Sequence, residues 1–91
     1  MITLEEAEKI AGQEIANTIK RSEQLKRYKF DGVRLMSDYG FVWHFASGSE
    51  ELYNEGYVPG RVSALIGKDG RIWSDDEFEA YLLDEQIRQA A

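Results

Sequence analysis

His44 is the only histidine in the chain. An imidazole titrates near neutral pH and can act as a general base, but only beside a nucleophile and a group that orients it. The sequence around His44 supplies no recognisable set of that kind. Strand alternation puts His44 with Val42 and Ala46 on the less aromatic face, as a sheet-surface or partner-facing side chain. The second candidate is acid. Residues 75 to 85 carry Asp75, Asp76, Glu77, Glu79, Asp84 and Glu85 with no base among them. Paired carboxylates can do acid–base work when one is desolvated, and nothing in this pattern desolvates either. The run has no glycine turn to wrap a cation, and Asp69-Gly70 does not continue into the spacing of a calcium loop. Gly67-Lys68-Asp69 resembles part of a phosphate loop, but Gly60 stands at the wrong distance and Asp69 replaces the hydroxyl residue. No G-x-S-x-G elbow is present. The expectation is a chain with no catalytic residues, no metal site and no cofactor, and so not an enzyme.

What remains is charge and its placement. The net charge is −6, and the pI is near 4.7. That balance argues against general nucleic-acid binding and favours a basic protein partner. A basic cluster, Lys20, Arg21, Lys26, Arg27 and Lys29, lies far from the acids in sequence. With Tyr28 and Phe30 beside it, it loosely suggests a nucleic-acid patch. As the solvated end of a helix it needs no such role. The acidic segment has a similar double reading. Helix capping and solubility explain the acids, yet Phe78 and Leu82 make one apolar edge while Leu83 and Ile87 make another. A peripheral helix needs only one. The second edge fits a partner rich in Lys or Arg.

The elements that position these residues follow from periodicity. Ninety-one residues make one domain, residues 1–91, with one modest core. Hydrophobic residues at 43% against 31% charged mark a folded chain rather than a disordered one. Cysteine is absent, which fits a reducing, cytoplasmic setting. The first residues show no signal-peptide pattern, and no apolar run is long enough to span a membrane. Thr3 with Glu6 reads as a capping box. Leu4, Ala7, Ala11, Ile15, Ile19 and Leu25 follow in one helical stripe, so the first helix should fade only between Arg27 and Asp31-Gly32. Val33 to Ser37 and Phe41 to Ser47 read as a hairpin around Asp38-Tyr39-Gly40. Residues 48 to 60 form one long connection, with a helical turn at Glu50–Tyr53. Arg61 to Gly67 and Arg71 to Trp73 flank Asp69-Gly70, read as a type I′ turn. Ser74 with Glu77 starts a last helix over 75 to 89.

The predicted fold is α+β in the order α-β-β-β-β-α: a four-stranded, mostly antiparallel sheet with two helices packed on one face. The predicted core is Leu4, Ala11, Ile15, Ile19, Phe41, Trp43, Phe45, Ile66, Phe78 and Leu82.

The order of motifs also resembles a known family. A helix after Met1-Ile2-Thr3 comes first, then Gly40-Phe41-Val42-Trp43-His44-Phe45. Ser49-Glu50-Glu51-Leu52-Tyr53 and Gly56 follow, then Ala64-Leu65-Ile66-Gly67-Lys68-Asp69-Gly70-Arg71-Ile72 and Glu79-Ala80-Tyr81-Leu82. Together these resemble the YrhB-like family of small immunity proteins from bacterial polymorphic toxin systems. The resemblance implies a cytoplasmic protein that binds and neutralises a toxin, or a chaperone-like one, with no catalytic residues to transfer.

Charge and resemblance together point to a non-enzymatic inhibitor of a basic partner such as a nuclease toxin. The candidate contacts are Asp75, Asp76, Glu79, Asp84 and Glu85 on the last helix, with Glu50, Glu51, Glu55 and Tyr57 on the long loop. The competing reading is a structural or regulatory module that forms a homodimer through its sheet.

Overall fold

The computed structural model describes residues 1–57 and 60–90. The elements run α1 (Leu4–Arg21), a single 3-10 turn (Leu25–Arg27), β1 (Arg34–Asp38), β2 (Val42–Gly48), α2 (Glu50–Asn54), β3 (Arg61–Gly67), β4 (Ile72–Trp73) and α3 (Asp75–Ala90). The four strands form one antiparallel meander, β1-β2-β3-β4. The α+β class and the α-β-β-β-β-α order of the long elements are as the sequence predicts, with α2 as a short addition inside the long connection.

α1 begins where its capping box sets it. The Thr3 hydroxyl accepts from the Glu6 amide at 3.1 Å, and Glu6 accepts from the Thr3 amide at 3.1 Å. These bonds, the backbone one first, hold the Glu6 carboxyl below its ordinary pKa. The helix ends at Arg21, earlier than predicted. Ser22 takes extended backbone, and its hydroxyl accepts from the Leu25 amide at 3.0 Å. A serine that captures a backbone donor competes with helix continuation. Leu25 therefore sits on the 3-10 turn, half-buried against the core rather than on the helix stripe.

The core lies between α1 and one face of the sheet. Ala7, Ala11 and Ile15 pack on Trp43, Phe45, Val62, Ala64 and Ile66. The small side chains of α1 let helix and sheet approach closely, and the sheet supplies the bulk. Leu4 is exposed, contrary to expectation. Ile2 packs there instead, held by a 2.9 Å bond from its amide to the Lys68 carbonyl. Phe41 is also outside the core, 62% exposed. The chain turns at Gly40, at φ +96, so Phe41 precedes the ladder and strand alternation does not govern it.

The helices do not share a face. Leu65 pairs with both His44 and Trp73. Directly paired residues point the same way, so Trp73 and His44 lie on the face opposite Trp43 and Phe45. α3 meets the molecule there, with the Tyr81 ring edge-on to Trp73 at 5.8 Å. That second face is no free surface, because Val42, Ala46 and Leu65 are buried in it. The two-face arrangement follows from the short β4. Two residues of ladder followed by the Ser74 cap leave no length for a crossover back to the α1 side.

The β3–β4 turn also differs from the predicted type I′. Among the described residues none but glycine has positive φ, and Gly70 alone in this turn does, at +91. The Gly70 amide donates to the Gly67 carbonyl at 2.9 Å and the Gly67 amide to the Arg71 carbonyl at 2.7 Å. This is a three-residue loop ending in a left-handed glycine. Asp69 stays right-handed because its carboxylate accepts from the Arg71 amide at 3.0 Å.

Candidate partner-binding surface

α3 is the least embedded of the long elements. It contributes no buried residue. It attaches through three edge-on aromatic pairs: Phe78 with Tyr39 at 4.7 Å, Tyr81 with Phe41 at 5.4 Å, and Tyr81 with Trp73. Its N-terminus is set by the second predicted capping box. Ser74 and Glu77 exchange bonds at 3.1 and 3.2 Å, and Glu77 also pairs with Arg71. Arg71 first, then the Ser74 amide, lower the Glu77 pKa. Gly67 is the cradle beneath the attachment. A Cβ there would lie 2.7 Å from the Trp73 Nε1 and 2.6 Å from an Asp69 oxygen. The indole fits because residue 67 has no side chain. The radius of gyration is 14.4 Å, against about 12 Å for a compact chain of this length. Residues 78 and 82, both placed in the predicted core, are half-buried and exposed respectively.

The aromatic attachment closes one side of a 590 Å³ cleft lined by Phe41, Trp73 and Tyr81 with Asp69, Asp84 and Arg88 among its polar neighbours. Burial first, then the Glu85 charge, raises the Tyr81 pKa. The sequence reading missed this cluster. Its members come from a turn, a two-residue strand and a helix, and no periodicity links them.

The predicted contact acids do not form one surface. β2 separates them, at about 3.4 Å per residue. Asp84 and Glu85 lie toward the Val42–Gly67 end of the sheet, where Tyr81 packs on Phe41. Glu50, Glu51 and Glu55 lie beyond the Gly48–Arg61 end on α2. α2 is pinned rather than loose. The Ser49 hydroxyl caps it by accepting from the Leu52 amide at 3.2 Å, and Leu52 is buried. Tyr28 donates to Glu55. This bond, with burial second, raises the Tyr28 pKa. Glu55 is thus exposed but engaged by an intramolecular partner, beside the basic cluster. Glu50, Glu51 and Tyr57 are exposed, while Val58 and Pro59 of the predicted long loop fall outside the described residues.

Within α3 the acids divide again. Asp84 and Glu85 share Arg88, at 3.0 and 3.5 Å. Asp75, Asp76 and Glu79 carry no ion pair among the described residues. Asp75 lies close enough to His44 to favour its protonation. Burial first, and then Arg61, outweigh Asp75 and hold the His44 pKa below 6.5. The folded state therefore binds the proton less readily than the unfolded chain. This contribution to stability is full at neutral pH and falls as pH drops through 6.5. Thermal melting followed from pH 7.5 to 5.5 should show a decline that a His44→Gln variant lacks. An identical decline in both chains would assign it to other groups.

Among the described residues no three His, Cys, Asp or Glu side chains come together as a metal site, and no helix is long and apolar enough to cross a membrane. Comparison with family models finds no match, and neither a curated protein nor a solved structure matches the chain.

Proposed function

We propose that this chain is a non-enzymatic binding protein that neutralises a basic protein partner, in the manner of an immunity protein acting on a toxin in the cytoplasm. The observation that carries the reading is α3. Six acids and one base lie on a helix with no buried residue, and Leu83 and Ile87 stand 59% and 61% exposed among them. An exposed apolar pair set in a one-sign field suits a partner of opposite sign. The resemblance to YrhB-like immunity proteins supports the same class. We place the contact on α3 rather than α2, whose acids lie beyond the other end of the sheet.

The homodimer reading is weaker on a specific observation. β1 is the long free edge, and its register slips between Leu35 and Ser37, leaving Met36 as a bulge. A bulge bends an edge strand and opposes pairing with another edge.

The experiment uses a partner co-purified with the chain. Its association rate is measured against salt for three proteins: wild type, Asp75→Lys/Asp76→Lys/Glu79→Lys, and Lys20→Glu/Arg21→Glu/Lys26→Glu. Steering by charge is screened beyond about 8 Å at 0.15 M salt. The acidic-face variant should associate about tenfold or more slowly at low salt, with the gap closing as salt rises. The basic-cluster variant should match wild type. Loss of binding in the basic-cluster variant alone overturns the proposal.

A further inference from the structure

Helices that pack on one body have one apolar stripe, whereas α3 has two. Phe78, Tyr81 and Glu85 are its half-buried residues, and the first two carry the ring contacts to the sheet and turn. At 100° per residue, Ala80, Leu83, Ile87 and Ala90 fall within roughly 80° of arc on the opposite side. All four are exposed. Their spacing of three, four and three residues is that of a coiled-coil seam.

The positions flanking a seam select its partner by charge. Here Glu77 and Asp84 flank one side, and Glu79 and Gln86 the other. Asp76 continues the line of the seam one turn earlier. A second copy of α3 would bring acid against acid, Glu79 against Asp84 if parallel and Glu77 against Asp84 if antiparallel. A helix with Leu-type residues on its seam and Lys or Arg on its flanks would meet complementary charge at Glu77, Glu79 and Asp84. Glu79, which has no ion pair among the described residues, is available to it at once. Asp84 is available by exchange of Arg88 at the surface.

We infer that the solvent face of α3 is a helix-docking seam whose occupant is a basic amphipathic helix of the partner. The inference rests on the proposed function and specifies its contact. The partner helix lies along Ala80, Leu83, Ile87 and Ala90 over about three turns, and its cations reach Glu79 and Asp84. The buried area is at the small end for a protein interface, so the seam gives modest affinity by itself. Specificity comes from matching the apolar spacing and the charge together.

The test uses full-length protein and synthetic 16-residue peptides, titrated by fluorescence anisotropy at low salt. The first peptide has Leu at seam positions and Lys at the flanks. The second is a scramble of the same composition. The third keeps the seam and replaces each Lys by Gln. The first should bind about tenfold or more tightly than either of the others, a difference of about 1.4 kcal/mol or more. Leu83→Gln/Ile87→Gln should abolish the preference over the scramble without moving the melting temperature, because both side chains are already in water. Equal binding of patterned and scrambled peptides overturns the seam and leaves the charge-driven function standing. Equal binding of the Lys and Gln peptides, or no binding by any, removes the charge reading as well. Sedimentation showing a dimer at micromolar concentration, lost in the double variant, would make a second copy the occupant and overturn the inference.

Discussion

Replacing Phe45 by alanine should come close to unfolding the protein. Phe45 is 1% exposed and packs in the single cluster that joins α1 to the sheet. Truncating a buried phenylalanine removes its transfer free energy and leaves a cavity, together about 3–5 kcal/mol. A whole domain is typically stable by only about 5–15 kcal/mol. α1 offers only Ala7, Ala11 and Ile15 as buried residues, so it has little side-chain volume with which to refill the space. Urea denaturation should show a midpoint much lower than wild type with an unchanged slope, the signature of lost stability in an unaltered transition. Phe41→Ala is the control. Its ring is largely in water and is engaged edge-on with Tyr81, so about 0.5–1.5 kcal/mol of ring-pair energy is at stake beyond its area. Equal losses in the two variants would mean that the core is not where α1 meets β2 and β3.

Gly60→Ala should be the most damaging single methyl in the chain. Gly60 has φ +71, where an L-residue costs about 1–2 kcal/mol. Its added Cβ would also lie 2.8 Å from the Tyr53 Cβ, 3.0 Å from the Tyr53 Cα and 3.2 Å from its amide nitrogen. Those atoms are helix backbone and its first side-chain carbon, which cannot swing aside. Overpacking of this kind adds about 1–3 kcal/mol. The Gly60 carbonyl also accepts from the Ser49 amide at 3.0 Å, so displacement would loosen the cap of α2. Gly56→Ala separates the two causes. Gly56 has φ +97 but open space around it, so only the backbone cost applies. Melting of the two variants should rank Gly60→Ala well below Gly56→Ala. Equal melting temperatures would show that α2 can shift to accept the methyl.

The parts of this fold legible in the sequence are those decided within a few residues. Both capping boxes, Thr3 with Glu6 and Ser74 with Glu77, form as read, because each is a local exchange of two bonds. β3 runs over Arg61–Gly67 as alternation predicts, and Trp43 and Phe45 point toward α1. The misreadings share a cause: each depends on a contact distant in sequence or on a single backbone angle. The stripe of α1 continues past Ser22 on paper, but that hydroxyl takes the Leu25 amide and stops the helix. Phe41 belongs to the Trp43 face only if the strand has begun, and the Gly40 turn delays it. Asp69-Gly70 satisfies a type I′ turn by composition, whereas the Asp69 side chain folds back on Arg71.

The candidate site was legible by composition but not by assembly. The acids and the Leu83–Ile87 edge can be picked out directly. Their division by Arg88, Tyr28 and the length of β2 cannot. The face of α3 was fixed by two residues of β4, too short a ladder to read from alternation. The Phe41, Trp73 and Tyr81 cluster was invisible for a related reason, since its members follow three different local geometries.

The attachment of α3 by aromatic edges and the Arg71–Glu77 pair has a consequence for how the protein can change over generations. Exposed residues away from caps and ion pairs are substituted at a cost usually within about 0.5 kcal/mol. Ala80, Leu83, Ile87 and Glu79 are of that kind, while the rings that hold the helix lie on its other side. Mutations can therefore rewrite the outer face without taxing the fold. A lineage can exchange one binding preference for another through single steps, each of them foldable, whereas a recognition surface built into the sheet core would have to risk unfolding at every step.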